Sequence, residues 1–239
     1  MKKNFLFTIM FLIFSTLLSA QTLEDVLKEH YAAIGQETLL KMNSMKTTGK
    51  LVQMGVEIPF IQMMSRPANV RVEGTFQGLT FIQTYNGQEG WNLNPFAGVT
   101  DPQPFGEDEL KSMKYQADMD GMLWKPETKG YTVTLEGKED MEGTSCYKIK
   151  VLTKEGDSFV TYFDVDSYLP LRTNAKVKVQ GNEMETDTYY SNYMQVGGIA
   201  LAGKTETKLN GQVMNTIITD KVEIDLPLDS TLFGKPVTK

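Results

Sequence analysis

One cysteine and one histidine occur among the 239 residues, and these two shortages close off several kinds of chemistry. Cys146 has no partner for an internal disulfide, so stability must come from packing and sheet hydrogen bonds. It opens the alternating run Cys146-Tyr147-Lys148-Ile149-Lys150-Val151 and reads as a small strand residue, a reactive thiol being the alternative. His30 as the sole imidazole excludes zinc sites built from several histidines and two-histidine iron centres. Its place on the apolar face of a predicted helix marks a packed or rim residue rather than a catalyst. A Gly-rich phosphate loop, a Gly-x-Ser-x-Gly elbow and a metal-spaced acidic loop are also missing. Asp118-Met119-Asp120-Gly121 and Asp164-Val165-Asp166 read as a helix end and a strand end rather than acid/base or cation pairs. No cofactor, no metal and no catalytic residue is expected. The basic excess that phosphate binding requires is lacking too, with 24 Lys and Arg against 30 Asp and Glu, so nucleic acid is not an expected partner.

What is present begins with an export signal. Lys2 and Lys3 supply the positive start, Phe5 to Leu18 form an apolar stretch, and the small residues Ser19 and Ala20 close it. The stretch is short for a bilayer span and no stop-transfer pattern follows, so residues 1–20 are expected to be cleaved near Ala20. Leu18 is bulkier than the usual residue three places before such a cut. No cysteine follows the small residues, which argues against a lipidated N-terminus. The remaining chain, 21–239, carries 22 basic and 30 acidic residues, net −8. Its length can bury a substantial core as one domain.

Residues 22–34 predict an amphipathic helix, with Thr22 as N-cap, Asp25 in a capping-box position and Gly35 as terminator. A short second helix is expected from Glu37 to Asn43. From Lys46 the period changes to two, giving strands near 46–55, 57–65, 69–76, 79–85 and 90–94. A second set follows near 130–136, 145–153, 158–165, 170–180, 184–192, 200–209 and 212–224. Asn86-Gly87 and Asn210-Gly211 are hairpin dipeptides. These runs predict one large antiparallel sheet in a mainly β, α+β fold, interrupted between Pro95 and Gly130. There a Pro-rich loop, Asp101-Pro102-Gln103-Pro104, precedes a helix from Glu107 to Asp120. This insertion and the N-terminal helix are the available cover for the sheet's apolar face. Twelve of the fourteen methionines follow residue 20, and they either fill gaps or line an adaptable surface.

The run Arg66-Pro67-Ala68-Asn69-Val70, followed by Tyr85-Asn86-Gly87-Gln88-Glu89-Gly90-Trp91-Asn92-Leu93-Asn94-Pro95-Phe96, resembles the periplasmic lipoprotein carrier family LolA. The order of elements matches as well: N-terminal helix, early strands, helical insertion, long antiparallel run. Tyr162-Phe163-Asp164, Leu169-Pro170-Leu171-Arg172 and Tyr193 with Val196-Gly197-Gly198-Ile199 are similar to looser relatives. The chain departs from the pattern in its length, its sparse aromatics near Asn69 to Glu73 and its own 97–125 sequence.

The resemblance implies an unclosed half-barrel of about 11–12 strands whose concave, apolar cavity is covered by helices, with a lid insertion at about 97–125. It implies a periplasmic carrier of lipoprotein acyl chains or another lipid, with an inner-membrane release complex and an outer-membrane acceptor as partners. It makes Arg66 the latch that ties the lid shut, the alternative being an arginine that ends an edge strand before Pro67. Leu51, Met54, Leu79, Phe81, Trp91, Leu93, Met113, Met119, Leu123 and Trp124 are the candidate cavity residues, core packing being the alternative for each. A lipid- or lipoprotein-sensing module that signals to a protein partner is the second reading. An enzyme of envelope polymers ranks last. A monomer is expected.

Overall fold

The computed structural model describes residues 21–237, so the expected export signal lies outside the described residues. Helix α1 spans Leu23–Ile34 and starts on a capping box: Asp25 N–H donates to Thr22 Oγ1 at 3.2 Å and Thr22 N–H donates to Asp25 Oδ2 at 3.0 Å. Two otherwise orphaned donors are thereby satisfied. Gly35 then takes φ 72°, and a Cβ there would overlap the Gly198 carbonyl, so the turn both needs and has glycine. Helix α2, Gln36–Leu39, is shorter than the sequence predicts. Beyond its end Arg66 donates to the carbonyls of Leu39, which also accepts from the Met42 amide, and of Met42, at 3.0 and 2.6 Å.

Thirteen antiparallel strands form one unclosed sheet. The first six are β1 Ser44–Gln53, β2 Val56–Ser65, β3 Asn69–Phe76, β4 Leu79–Tyr85, β5 Gly90–Asn94 and β6 Val99–Pro104. Helix α3, Glu107–Gln116, follows. The rest are β7 Thr132–Met141, β8 Thr144–Leu152, β9 Ser158–Asp164, β10 Pro170–Val179, β11 Asn182–Val196, β12 Ile199–Leu209 and β13 Gln212–Ile224. The strand beyond expectation is β6, which occupies the Pro-rich segment read as a loop. It lies at one edge of the sheet, where Pro102 and Pro104 need supply no ladder hydrogen bond on the open side. Helix α3 stops at Gln116, short of the expected Asp120.

The chain enters the sheet in the middle. It walks outward from β1 to the edge strand β6, crosses by the α3 insertion to the opposite edge β7, and walks back to β13, which pairs with β1. The insertion thus joins the two free edges of a curved sheet and covers its concave side. Two clusters fill the flanks of that side. Met113, Ala117 and Met119 pack on Met64, Val70 and Tyr85 at one flank. Val26 of α1 packs on Tyr147, Ile149 and Phe163 at the other, with Leu123 against them. The centre, over β1, β12 and β13, is left open.

Candidate functional site

A cavity of about 570 Å³ occupies this centre. Strand alternation sets its wall. Met45, Thr47 and Leu51 face inward from β1, Phe60 and Gln62 from β2, and Phe81 and Gln83 from β4. On the other side β13 would lose its register, but Thr48 and Gly49 pair with Lys221 and Thr219, leaving Asp220 as an extra, bulged residue. The bulge changes the parity of the strand, so that Ile217, Thr219 and Val222 all line the cavity. Ala200, Ala202 and Thr205 of β12 and Tyr190 and Tyr193 of β11 continue the wall, and His30, Ile34, Leu39 and Gln116 form the roof.

Two glycines control the depth of this wall. In the row Thr219, Gly49, Phe60, Gly74 and Phe81, residues are direct cross-strand neighbours. A Cβ at Gly49 would stand 3.0 Å from the Phe60 ring, and one at Gly74 would stand 2.8 Å from Cζ of Phe81. Each phenyl ring therefore lies over the glycine beside it, along the wall instead of across the void. In the next row Thr47, Gln62, Val72 and Gln83 are successive neighbours, placing three neutral polar side chains in one row with Val72 between the two glutamines. Among the described residues, none that lines the cavity carries a formal carboxylate, ammonium or guanidinium.

Burial lowers the pKa of His30 against the opposing pull of the Tyr168 carbonyl, which lies 2.9 Å from Nδ1. The neutral ring donates through Nδ1–H, since a carbonyl only accepts. Burial likewise pushes the Tyr190 and Tyr193 phenols up, and the Tyr193 hydroxyl donates to the Pro170 carbonyl at 2.6 Å. The groups on the wall are thus held uncharged at neutral pH.

The roof is tied down at several points. Arg66 Nη2 lies 2.6 Å from Asp120 Oδ1 in a charge contact whose alignment is not that of a hydrogen bond. With its bonds to Leu39 and Met42, that side chain joins β2, the α2 segment and the turn after α3. Gln36 donates to the Asp120 carbonyl at 2.9 Å, Tyr31 to the Leu123 carbonyl at 2.6 Å, and Lys129 pairs with Asp118 at 2.6 Å. Helix α3 itself is held by Asp157, which is wholly inaccessible to solvent. Its carboxylate meets Lys111 at 3.0 Å and accepts from the Tyr115 hydroxyl at 2.8 Å and the Lys178 amide at 3.0 Å. Burial works to raise this carboxyl, but those donors outweigh it and hold it below the ordinary range.

Among the ten candidate cavity residues, Leu51 and Phe81 line the void. Leu79 shares the face of Phe81 but stands at the rim, 45% exposed, and Met54 occupies a hairpin tip at 96%. Trp91 and Leu93 pair with Thr84 and Ile82, which puts them on the other face. That face is covered by the C-terminal segment: Thr84 donates to the Gly234 carbonyl, and Lys235 sits 4.9 Å over the Trp91 ring. Met113, Met119 and Leu123 belong to the flanking clusters, and Trp124 packs edge-on against Tyr31 at 5.3 Å. The lining residues of β11, β12 and β13 were not anticipated. The signal for them was the alternation of those strands, which has meaning only once β13 is known to pair with β1.

The same architecture recurs in solved structures. A LolA superfamily protein from Nitrosomonas europaea superposes with a TM-score of 0.61 at 12% identity, over 90% of this chain and 99% of its own. The chain shares its fold with LolA superfamily proteins. A DUF1329 family protein from Desulfovibrio piger gives 0.60 at 14% identity, covering 87% of this chain and 97% of its own. A domain from Vibrio parahaemolyticus described as an outer-membrane lipoprotein-sorting protein gives 0.55 at 11%, covering 87% and 94%. No family model and no curated protein matches the sequence. The LolA-type half-barrel is therefore established by structure, at identities where likeness extends to the fold alone.

Proposed function

We propose that residues 21–239 form one LolA-type domain that acts, without catalysis, as a periplasmic carrier of acyl chains. The observation that carries this reading is the central cavity: about 570 Å³, free of charged lining among the described residues and partly covered by a roof held through side-chain tethers. Its volume falls within the roughly 300–1,000 Å³ of small-ligand sites. Each methylene withdrawn from water contributes about 0.8 kcal/mol, so a chain of some fourteen is worth on the order of 11 kcal/mol. Free transit of such a chain through water is negligible, and a shuttle has to offer an equivalent environment.

The wall also narrows the ligand. It offers no partner for a buried charge, whose desolvation is costly, so the enclosed part of the ligand is neutral. The amides of Gln62, Gln83 and Gln116 and the Thr47 hydroxyl suit an ester or amide linkage beside the hydrocarbon. An acylated lipoprotein terminus or a glycerolipid has that chemistry. Delivery toward the outer membrane, with a release complex and an acceptor as partners, extends the same reading, as does Arg66 as the latch of the roof.

Transfer of a fluorescent acyl lipid between donor and acceptor vesicles tests the proposal. The protein is expected to accelerate transfer in proportion to its concentration. Binding without transfer would favour a sensing module, and an absence of acyl binding would end the carrier reading.

A further inference from the structure

The two ends of the sheet differ in a way that the cavity does not explain. At the end that carries α1 and α2, the turns and adjoining loops hold Arg66, Glu89, Asp118, Asp120, Asp166 and Asp225. At the far rim, four neighbouring hairpin tips succeed one another in sheet order: β5–β6, β3–β4, β1–β2 and β12–β13. Segments 51–56, 74–88, 90–100 and 209–219, which contain these tips, include no charged residue. Each tip instead exposes an apolar side chain: Phe96 at 44%, Leu79 at 45%, Met54 at 96% and Val213 at 55%.

We propose that this rim is a membrane-docking edge whose four tips enter the interface of a lipid bilayer. Eight strands at about 4.8 Å spacing place the tips over roughly 34 Å of curved edge. They are separate prongs, not the contiguous patch that a protein partner covers. Glycine, asparagine and glutamine flank them, namely Gln53, Gly55, Gln77, Gly78, Asn94, Gly98, Asn210 and Gly211. Such neutral groups stay hydrated at head-group level while the tip side chain reaches hydrocarbon. Exclusion of charge from all four tips is what hydrocarbon requires, since a charged side chain there is expensive. The row of ion pairs begins only behind the rim, with Lys50 and Glu57 at 3.0 Å. The rim is also continuous with the cavity. Leu51 and Phe81 lie three and two residues from Met54 and Leu79, so an acyl chain passing between bilayer and cavity crosses no charge on this path.

The inference goes beyond the carrier reading and fails separately from it, because docking requires no loaded cavity. Flotation of the purified protein with phosphatidylcholine vesicles tests it. The protein is expected to float, with no loss in high salt. The combined variant Met54→Glu, Phe96→Glu and Val213→Glu should lose roughly tenfold in partitioning per substitution, given the apolar area each withdraws from water. The matched variant Met54→Leu, Phe96→Leu and Val213→Leu should float as the parent does. Unchanged melting and far-ultraviolet circular dichroism establish that these exposed changes leave the fold intact, and a fluorescent acyl probe reads the cavity independently. A parent that never floats, or a glutamate variant that floats equally well, overturns the proposal. So does a concentration-dependent dimer that the glutamate variant abolishes in the absence of flotation, since a second copy would then cover the rim.

Discussion

Arg66 shows how much one side chain can hold. Its guanidinium serves two backbone carbonyls and one carboxylate belonging to separate parts of the roof. Arg66→Leu keeps the aliphatic stem and removes all three partners, at a cost of about 1–3 kcal/mol for the stranded polar groups. Thermal unfolding should fall accordingly, and a bound acyl probe should exchange faster. Unchanged exchange would mean that the residue only ends its strand. His30 carries a second expectation. Burial depresses its pKa, so between that value and about 6.5 the unfolded chain binds a proton that the folded one refuses. Stability therefore falls as the pH is lowered through about 6.5, and His30→Gln should flatten that dependence. Being the sole imidazole, its titration is readable from one proton resonance, and a midpoint at or above 6.5 would contradict the account. Of the residues themselves, the burial of His30 was legible through its place on the apolar face of a capped helix, while Arg66 was singled out only by the Arg-Pro resemblance. Trp91 and Leu93 were misread because strand alternation tells two faces apart without telling which is concave.

Among elements, α1 was the most legible, because its capping box and its glycine terminator are local signals. Helix α3 was legible as a helix but not in its attachment. Asp157 lies in a turn between β8 and β9, and nothing local in the sequence reveals that Lys111 and Tyr115 converge on it. Asp157→Ala leaves Lys111 without its buried partner and should cost about 3 kcal/mol. Amide exchange across Glu107–Gln116 should accelerate more than in the sheet. Equal acceleration throughout would show a global loss instead of a freed helix. The parent should itself loosen only at acid pH, since a depressed carboxyl contributes its stability above its unfolded pKa, near 3.9, and loses it as the pH falls through the folded value. In the wall, Gly74→Val would drive the Phe81 ring off its glycine and into the void. The variant is expected to fold, as β-branched residues suit strands, and to prefer acyl chains shorter than those the parent takes. An unaltered chain-length preference would remove Gly74 from the account of cavity depth.

At the scale of the whole molecule, the antiparallel sheet and its helical interruption were legible in the alternating runs and turn dipeptides, whereas the half-barrel form came only with the resemblance to the LolA family. The closure of the order was not legible. Pairing of β1 with β13 joins residues such as Thr47 and Val222 across most of the chain, and that contact turns twelve predicted strands in a row into a bowl with its cavity over the joint. The Pro-rich β6 escaped notice for the same reason, since only its position at an edge makes it a strand. The architecture leaves one region of the concave side unfilled by its own side chains, and the account rests on what fills it. Native mass spectrometry of the protein purified from its own envelope measures this directly. The account predicts a single acyl-bearing adduct per chain, diminished when Ala202→Phe occupies the cavity wall. A chain that arrives empty and takes up no ester-linked acyl lipid on titration would contradict it.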